Sequence, residues 1–385
     1  MNIAYFCDLS SIHTLKWINH FSELNNVLVI TDKIQKHKTN KLLHGVKVYP
    51  ILPETFSFFR GWMDKQKTIK NMKQIIRTEN IDIIHSMYAV PYSFWAHQVH
   101  SDNHIITTRG SDMLVDYNKV FCNPRGVRQR IIYRYFRRLI HRSFDEAKFI
   151  TSTSAGQQAV IKKFIKAPEK LHLIRTGVDV DNFKRISEMI IRKKNASLIL
   201  FSPRSMKPIY NIEIILDAMI IIRKEHPDKM IRLTLINDKP DTAYSKMIDQ
   251  KIKSSGMNNL VTLIPEQSQE QMISHYLNSD IVVMIPDSDG TPVSAIEAML
   301  SKKPLIVGEL NYDTDIFNRD TVWKTKSSSA RDLAETISEL MLLPDYQVSL
   351  KVNQAYEVAT KFADFNREIK KIGRLYESVI TEKVA

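Results

Sequence analysis

Short runs of apolar, mainly β-branched residues alternate with amphipathic stretches along most of the chain. This alternation is typical of βαβ units, and it predicts an α/β protein built from doubly wound parallel sheets. The predicted strands are 2–7, 27–30, 81–85, 104–108 and 148–152 in the first half, and 197–202, 231–236, 260–264, 280–286 and 304–308 in the second. Helices are predicted near 211–226, 241–255, 269–278 and 292–302, and beyond 328 the pattern is purely helical.

The two sets of strands predict two domains. A charged segment with a glycine turn, 175–195, separates them, and a chain of 385 residues with 43% hydrophobic content can bury two cores of this size. We therefore predict an N-terminal domain at 1–180 and a C-terminal domain at 181–363. The segment 364–385 is predicted to form a final helix that packs back near the N-terminal domain. Its apolar residues recur at helical spacing: Ile369, Ile372, Leu375, Tyr376 and Val379.

Composition narrows the choice of partners. The chain carries 55 lysines and arginines against 42 acidic residues, a formal charge of +13, which favours an anionic partner such as a phosphate-rich ligand, a nucleic acid or a membrane surface. The sequence contains no recognition-helix signature, RNP-type aromatic pattern or zinc finger, so we expect no nucleic-acid partner. Cys7 and Cys122 are interpreted as ordinary thiols, because two distant cysteines suggest neither disulfides nor a zinc site. Without an apolar run of about 18 residues or a leader, the expected location is cytoplasmic.

The stretch 286-PDSDGTPVSAIEAML-300 places a carboxylate, Glu297, among apolar residues. The strand before it predicts a helix after it, with Thr291 as N-cap and Pro292 at the first helical position. Glu297 would then lie on a face that packs towards the sheet. Burying even a neutral polar group without hydrogen bonds costs about 2 to 7 kcal/mol, so a polar group must meet this carboxylate.

The same stretch predicts an anion site. Ligands of open α/β sheets bind outside the carboxyl ends of the strands, and 288-SDGTPV-293 joins such a strand end to a helix N-terminus. Free backbone N–H groups and the helix dipole favour an anion there, most simply a phosphate. Gly290 would let the backbone approach the ligand closely.

These residues also carry a resemblance to a known family. The stretch 280-DIVVMIPDSDGTPVSAIEAMLSKKPLIVG-308 resembles the acidic motif of family-4 glycosyltransferases, in which seven residues separate two carboxylates. Four further segments follow the order of similar segments in that family: 10-SSIHTLKW-17, 109-RGSD-112, 174-IRTGVDVDNF-183 and 202-SPRSMKPIYNIEIILDA-218. The resemblance spans nearly the whole chain and implies a GT-B fold of two Rossmann-like domains that face a central cleft, the C-terminal one binding a nucleotide sugar and the N-terminal one the acceptor.

The resemblance implies roles for individual residues of the C-terminal domain. Glu297 matches the carboxylate that binds the ribose hydroxyls, which would meet its need for polar partners. Asp289 matches the carboxylate near the transferred sugar. The family more often has glutamate there, so the identity of the donor stays open. Arg204 and Lys207 match the basic pair that neutralises the donor diphosphate. The residues at the predicted helix start would complete the donor site: Gly290, Thr291, Pro292 and Val293.

On the acceptor side the sequence departs from the family pattern. Arg109 stands before 110-GSD-112 where many relatives have a histidine of the reaction centre, so it is expected to bind either an anionic acceptor group or the sugar. Asp112 is counted with it as an acceptor-side residue. His85 either faces the cleft or is hydrogen-bonded within its domain. Ser11 and His13 lie at the first strand-to-helix turn, where hydroxyls can cap the helix and His13 can reach the cleft.

The implied function is that of a retaining, metal-independent glycosyltransferase. It would move a sugar from a nucleotide sugar to a glycan or lipid-linked acceptor, in cell-surface polysaccharide or lipopolysaccharide synthesis, with no cofactor besides the donor. The spacing of 287-DSD-289 matches a metal-binding cluster, but we interpret it as chance because Asp289 belongs to the acidic motif. The alternatives are a noncatalytic sugar- or anion-binding protein on the same scaffold, and a GT-B phosphorylase or epimerase.

The stretch 125-RGVRQRIIYRYFRRLIHRSF-144 contains seven arginines and no acidic residue. It predicts an amphipathic helix with a basic face. The apolar stripe is predicted to consist of Val127, Ile131, Tyr135, Leu139 and Phe144. Either the stripe packs on the N-terminal sheet and the arginines are merely solvated, or the helix contacts an anionic membrane surface. The second interpretation predicts a peripheral protein on the inner face of the plasma membrane.

Overall fold

The computed structural model describes residues 1–32, 42, 45–53, 62–99, 102–192, 197–240 and 242–384. The chain divides into two compact units, which we call unit 1 (Met1–Arg175 with Glu368–Ala385) and unit 2 (Thr176–Arg367). These divisions fall within a few residues of the expected boundaries at 180 and 363. Parts of three predicted segments lie outside the described residues: the start of 241–255, the end of 175–195 and the last residue of 364–385.

Unit 1 is built on a parallel sheet of seven strands among the described residues, in the order β3-β2-β1-β4-β5-β6-β7. The strands are β1 Asn2–Phe6, β2 Asn26–Ile30, β3 Lys47–Tyr49, β4 Ile83–Met87, β5 His104–Thr107, β6 Phe149–Ser152 and β7 Leu171–Leu173. Its α-helices are α1 Ile12–Ser22, α2 Trp62–Thr78, α3 Phe94–His97, α4 Val127–Glu146 and α5 Ala155–Ile161, with π-helical segments at Ala89–Ser93 and Asp112–Phe121 and a 3₁₀ turn at Pro168–Lys170. The five strands predicted for this half are confirmed. The two edge strands β3 and β7 were not predicted, because each has only three residues, all half-buried or exposed, which form no apolar run.

Unit 2 contains a second parallel sheet, with six strands in the described part, in the order β10-β9-β8-β11-β12-β13. The strands are β8 Leu198–Ser202, β9 Ile231–Ile236, β10 Val261–Ile264, β11 Ile281–Met284, β12 Leu305–Val307 and β13 Trp323–Lys324. Its helices are α6 Val180–Met189, α7 Ile212–Glu225, α8 Ala243–Ser254, α9 Gln269–Asn278, α10 Val293–Leu300, α11 Ala330–Leu342 and α12 Asp345–Phe362, with a 3₁₀ turn at Pro208–Tyr210. Of the strands, only the two-residue β13 was not predicted. Helix α6 was not predicted either, because it lies in 175–195, which was interpreted as the charged segment between the domains.

Both faces of the unit 2 sheet are buried, and β11 shows why its sequence is apolar without interruption. Val282 and Met284 pack into a cluster with α10, whereas Ile281 and Val283 pack into a second cluster with α7. Successive side chains of a strand point to opposite faces, so a strand covered on both faces must be apolar throughout. This arrangement of helices on both sides of a parallel sheet is the predicted doubly wound architecture.

The final helix, α13 (Phe365–Val384), begins in unit 2 and continues into unit 1. Ile369, Ile372, Tyr376 and Val379 are buried, as their spacing predicted, and Leu375 is half-buried. The hydroxyl of Tyr376 lies 2.8 Å from that of Tyr5 on β1. The C-terminal segment is therefore part of the core of unit 1.

The predicted apolar stripe of 125–144 is only partly correct. Helix α4 forms and Phe144 is buried, but Val127 is 74% exposed and Ile131 is 62% exposed. Steps of four residues rotate the stripe by roughly 40° each, because 3.6 residues complete a turn. Over the length of α4 this rotation carries the first members of the stripe to the solvent face. The face that packs is centred instead on Ile140, Ser143 and Phe144.

Candidate functional site

Two neighbouring strands of unit 2 bring the predicted donor-binding side chains together. β8 and β11 are paired in parallel, with Leu200 opposite Ile281, so the loops that follow them leave the same edge of the sheet. Arg204 lies in the first loop and Asp289 in the second. The Nη2 of Arg204 is 2.9 Å from the Oδ2 of Asp289, which makes an ion pair of two residues far apart in the sequence.

The loop that carries Arg204 is tied to both adjacent strand ends. Asn211, in the left-handed conformation (φ 51°, ψ 44°), caps α7, and its amide donates to the carbonyl of Ile285 at 3.0 Å and to Asp287 at 2.7 Å. At the other end of the loop, the N–H of Met206 donates to Asp238 at 3.0 Å, just beyond β9. These bonds fix the backbone that follows Arg204.

The surroundings of Arg204 limit where its guanidinium can point. Its Nη1 donates to the hydroxyl of Ser294 at 2.9 Å, and its guanidinium carbon lies 4.0 Å from the centre of the Tyr210 ring. The Arg204 side chain is 14% exposed and that of Asp289 is 17% exposed. The Nε of Arg204 is buried without a hydrogen-bond partner. One donor of this guanidinium is therefore unused.

Burial raises the pKa of the Asp289 carboxyl, while Arg204 and the N–H of Gly290 at 2.9 Å oppose that effect. Burial and the charge of Asp289 likewise raise the pKa of Tyr312, whose buried hydroxyl has no hydrogen-bond partner. Tyr312 thus adds an unused neutral donor to the environment of Asp289.

Helix α10 starts one residue later than predicted. Pro292 has a ψ of 127°, outside the helical range, so Pro292 is the N-cap and Val293 is the first helical residue. The prediction of Thr291 as N-cap is wrong; its hydroxyl donates instead to Asp313 at 3.3 Å. The first N–H groups of α10 have no acceptor within the helix, as at any helix start, and the positive end of its dipole lies beside Ser294.

Glu297 is half-buried on α10, and a tyrosine meets its carboxylate. The hydroxyl of Tyr276, a fully buried residue of α9, lies 3.0 Å from the Oε2 of Glu297 and 3.0 Å from the carbonyl of Ser294. Burial and the Glu297 carboxylate raise the pKa of Tyr276 well above its usual value, so the phenol stays protonated and donates. The polar partner that the sequence required is therefore partly supplied by the protein.

Lys207 lies on the same loop as Arg204 but apart from the ion pair. It is exposed at the start of the 3₁₀ turn Pro208–Tyr210, and its ammonium group makes no hydrogen bond or ion pair with the described residues. The structure thus brings together Arg204, Asp289 and the start of α10, and leaves Lys207 at the surface.

In unit 1, Arg109 follows β5 and stacks on an indole. Its guanidinium carbon lies 4.5 Å from the centre of the Trp17 ring, and Nη2 is 3.3 Å from the sulfur of Met87. Both Nε and Nη1 are buried without a hydrogen-bond partner, and no described carboxylate forms an ion pair with them. Burial lowers the pKa of Arg109, which is the electrostatic effect of removing a cation from water.

Asp112 shapes the Arg109 loop and does not point outward. It is 2% exposed, and its carboxylate accepts N–H bonds from Ala89, Gly110 and Met113 at 3.0 Å and from Arg109 at 3.1 Å. Burial raises the pKa of Asp112, and these four N–H groups oppose the rise. Because the carboxylate is saturated by the backbone, the expectation that it binds the acceptor is corrected: Asp112 holds the loop.

His85 has no exposed surface. Its Nδ1 lies 2.5 Å from the hydroxyl of Tyr376 and its Nε2 2.7 Å from that of Thr107. The alternative of a histidine bonded within its domain therefore replaces the cleft-facing one, because the central strand β4 is covered on both faces. Ser11 caps α1 by accepting the N–H of Thr14 at 3.4 Å, as predicted, and His13 is half-buried in the first turn of that helix.

Comparison with known proteins matches both units of the chain to glycosyltransferases. A family model described as "Glycosyl transferase 4-like" matches residues 2–154, and one described as "Glycosyl transferases group 1" matches residues 183–356. An uncharacterized glycosyltransferase of Methanocaldococcus jannaschii is 23% identical over 381 residues, which are 96% of this chain and 94% of the relative. The chain is a family-4-like glycosyltransferase.

Solved structures show the same fold for this glycosyltransferase. HepE of Anabaena, in complex with UDP, superimposes with a TM-score of 0.76 at 15% identity over 98% of this chain and all of that chain (100%). A glycosyltransferase from Rickettsia africae superimposes with a TM-score of 0.74 at 15% identity over 98% of both chains. The two parallel-sheet units are thus the two Rossmann-like domains of the GT-B fold, as the resemblance implied.

Four side chains of the glycosyltransferase were not predicted as parts of the site: Tyr210, Tyr276, Ser294 and Tyr312. Tyr276, Ser294 and Tyr312 contact or influence a predicted residue of an element distant in sequence, so local pattern carried no signal for them, whereas Tyr210 contacts Arg204 from the same loop. Ser294 was the most accessible to prediction, because a hydroxyl in the first turn of a helix that binds anions is a common donor. Among the described residues, no group of three or more histidine, cysteine or acidic side chains is arranged to hold a metal ion.

Proposed function

We propose that this glycosyltransferase uses a nucleotide-sugar donor bound by unit 2 and transfers the sugar with retention of anomeric configuration. One observation carries the proposal: the Arg204–Asp289 pair lies between two strand ends and beside the N-terminus of α10, with Glu297 on the same helix. The structures of HepE with UDP and with UDP-glucose support a nucleotide-sugar donor in a protein of the same fold.

The donor would lie along the carboxyl edge of the unit 2 sheet. The ribose hydroxyls would bind the carboxylate of Glu297. Tyr276 donates a hydrogen bond to its Oε2 and thereby orients the other oxygen. The diphosphate would take the free N–H groups of α10 and the unused Nε of Arg204, with Lys207 as a further positive charge. Asp289, which is ion-paired with Arg204, would then accept hydrogen bonds from hydroxyls of the transferred sugar.

In the proposed reaction, the bond between the anomeric carbon and the leaving phosphate oxygen breaks while the acceptor oxygen bonds to the same face of that carbon. The acceptor proton passes to the leaving oxygen, so no side chain acts as a nucleophile. Arg204 and the dipole of α10 stabilise the negative charge that grows on the diphosphate. These groups place positive charge beside the diphosphate, where the negative charge develops. We therefore propose that the reaction proceeds without a metal.

A panel of nucleotide sugars tests this proposal. The true donor at 100 times its Kd should stabilise the protein by about 2.7 kcal/mol in thermal unfolding. With that donor, we expect transfer to persist in EDTA and the anomeric proton coupling of the product to match that of the donor. Inversion, or loss of activity restored only by a divalent cation, would overturn the mechanism. Binding without transfer or hydrolysis would favour a noncatalytic sugar-binding protein.

We further propose that the acceptor is a glycan or a lipid-linked glycan of cell-surface polysaccharide synthesis, made on the cytoplasmic side, and that Arg109 binds an anionic group on it. The guanidinium of Arg109 is held by Trp17 with two unused N–H positions. A forked donor of this kind matches a carboxylate or phosphate, which would form the ion pair that no described residue forms with Arg109.

Replacing Arg109 with glutamine should raise the KM for the acceptor by about 10- to 150-fold, the equivalent of 1.5 to 3 kcal/mol for a hydrogen bond to a charged group. Donor affinity should not change. Steady-state kinetics with varied acceptor measure the effect, and Arg223→Gln is the matched control because Arg223 is exposed on α7. If Arg109→Gln weakens the donor and leaves the acceptor KM unchanged, Arg109 binds the donor sugar instead.

A further inference from the structure

Helix α4 presents a face of unusual composition to solvent. Val127, Ile131, Arg134, Arg138 and Arg142 follow one another at intervals of three or four residues, so they share one side of the helix. All five are exposed, Val127 by 74% and Ile131 by 62%. The face therefore combines two aliphatic side chains near the start of the helix with three arginines along the rest.

The opposite side of α4 fixes this orientation. Ile140 and Phe144 are 1% exposed and belong to a core cluster of unit 1 that includes Ile106 and Ile150 of the sheet. The helix cannot turn its aliphatic residues inward without exposing that cluster. Val127 and Ile131 are therefore exposed to water. This exposure costs free energy roughly in proportion to their apolar area.

The positive charge of the face is largely uncompensated. Arg142 pairs with Glu146 at 2.9 Å, whereas Arg134 and Arg138 form no ion pair with the described residues. Arg125, Arg128 and Arg130 are also exposed close to the start of the helix. Like charges this close repel one another, so the face is suited to an anionic partner.

We propose that this face of α4 docks unit 1 on the surface of an anionic lipid bilayer. Arginines would bind lipid phosphates while Val127 and Ile131 enter the boundary between headgroups and acyl chains. The two exposed aliphatic residues favour a bilayer over a nucleic acid, because phosphate backbones attract the arginines but leave the aliphatic side chains in water. No helix in the described part of the chain is long and apolar enough to cross a membrane.

Docking does not depend on the proposed function, but its consequence does. Unit 1 is the unit to which we assign the acceptor, so docking would hold the enzyme at the surface to which a lipid-linked acceptor is confined. Donor binding, which we assign to unit 2, should be the same on and off the membrane. A failure of docking would therefore leave the donor assignments intact, and a failure of the donor assignments would leave the docking proposal intact.

Vesicle flotation of the full-length protein tests the proposal. Vesicles of phosphatidylcholine alone are compared with vesicles that also contain phosphatidylglycerol, at low and high salt. We expect the wild type to float with the anionic vesicles only, and less at high salt because ions screen the arginines. The triple variant R134Q/R138Q/R142Q should bind on the order of 100-fold more weakly, since each arginine near an anionic surface contributes about 1 kcal/mol.

Two further variants separate the parts of the face. R223Q/R232Q/R319Q removes three exposed arginines of unit 2 and should float like the wild type. V127S/I131S retains the charge and should lose binding at high salt first, because insertion is insensitive to screening. Thermal unfolding and nucleotide affinity should be unchanged in each variant, which shows that the fold is intact.

Three outcomes would overturn the proposal. The wild type could ignore anionic vesicles at low salt, or R134Q/R138Q/R142Q could bind them as well as the wild type does. Alternatively, V127S/I131S could float like the wild type at every salt concentration while heparin displaces both proteins from the vesicles. That last result would identify α4 as a site for acidic polymers and not for a bilayer.

Discussion

Arg204→Ala is expected to lower kcat by about 100- to 1000-fold, the usual effect of removing one preorganised donor from developing negative charge. The guanidinium is held by Asp289, Ser294 and Tyr210, and it has a free Nε beside the helix N-terminus where the diphosphate is proposed to bind. The charge on the leaving oxygen grows in the transition state, so the KM for the donor should rise much less than kcat falls. Initial rates with the donor found in the panel measure both.

Two variants control this prediction. Arg204→Lys retains the charge but not the forked geometry, and it should recover only part of the activity because two different nitrogen atoms of the guanidinium contact Asp289 and Ser294. Arg223→Gln removes an exposed arginine of the same unit and should have wild-type kinetics. A rise in KM with kcat unchanged would show that Arg204 binds ground state and transition state equally.

Glu297→Ala is expected to weaken nucleotide binding by about 10- to 150-fold, which corresponds to 1.5 to 3 kcal/mol for hydrogen bonds to a charged group. One carboxylate oxygen is oriented by Tyr276, so the ribose would meet a preset acceptor. Isothermal titration calorimetry with UDP and the other nucleoside diphosphates measures this loss directly. Nucleoside diphosphates contain the ribose but lack the transferred sugar, so the result isolates the ribose contact from that of Asp289.

Conservative variants separate orientation from contact at this position. Glu297→Gln retains an oxygen acceptor and should lose less affinity than Glu297→Ala. Tyr276→Phe removes only the orienting hydroxyl, and we expect a loss of about 2- to 13-fold, from 0.5 to 1.5 kcal/mol for one hydrogen bond. If Glu297→Ala binds all nucleotides as the wild type does, the ribose lies elsewhere and Glu297 serves only to anchor α9 to α10.

The sequence by itself determined the class of the fold. Runs such as 280–286 are apolar at every position, and only a strand covered on both faces requires that, so parallel sheets with helices on both sides followed directly. The same logic located Arg204 and Asp289 at strand ends. It did not find β3, β7 or β13, because edge strands of two or three half-buried or exposed residues are held by backbone bonds, for which any side chain suffices.

Tertiary structure alone decided which side chains meet. Arg204 pairs with Asp289 because β8 lies beside β11 in the strand order, and Tyr276 reaches Glu297 because α9 packs beside α10. The burial of His85, the saturated carboxylate of Asp112 and the exposure of Val127 and Ile131 were equally out of reach of the sequence. Periodicity reports the local geometry of one element, whereas these contacts depend on how elements distant in the chain are placed against each other.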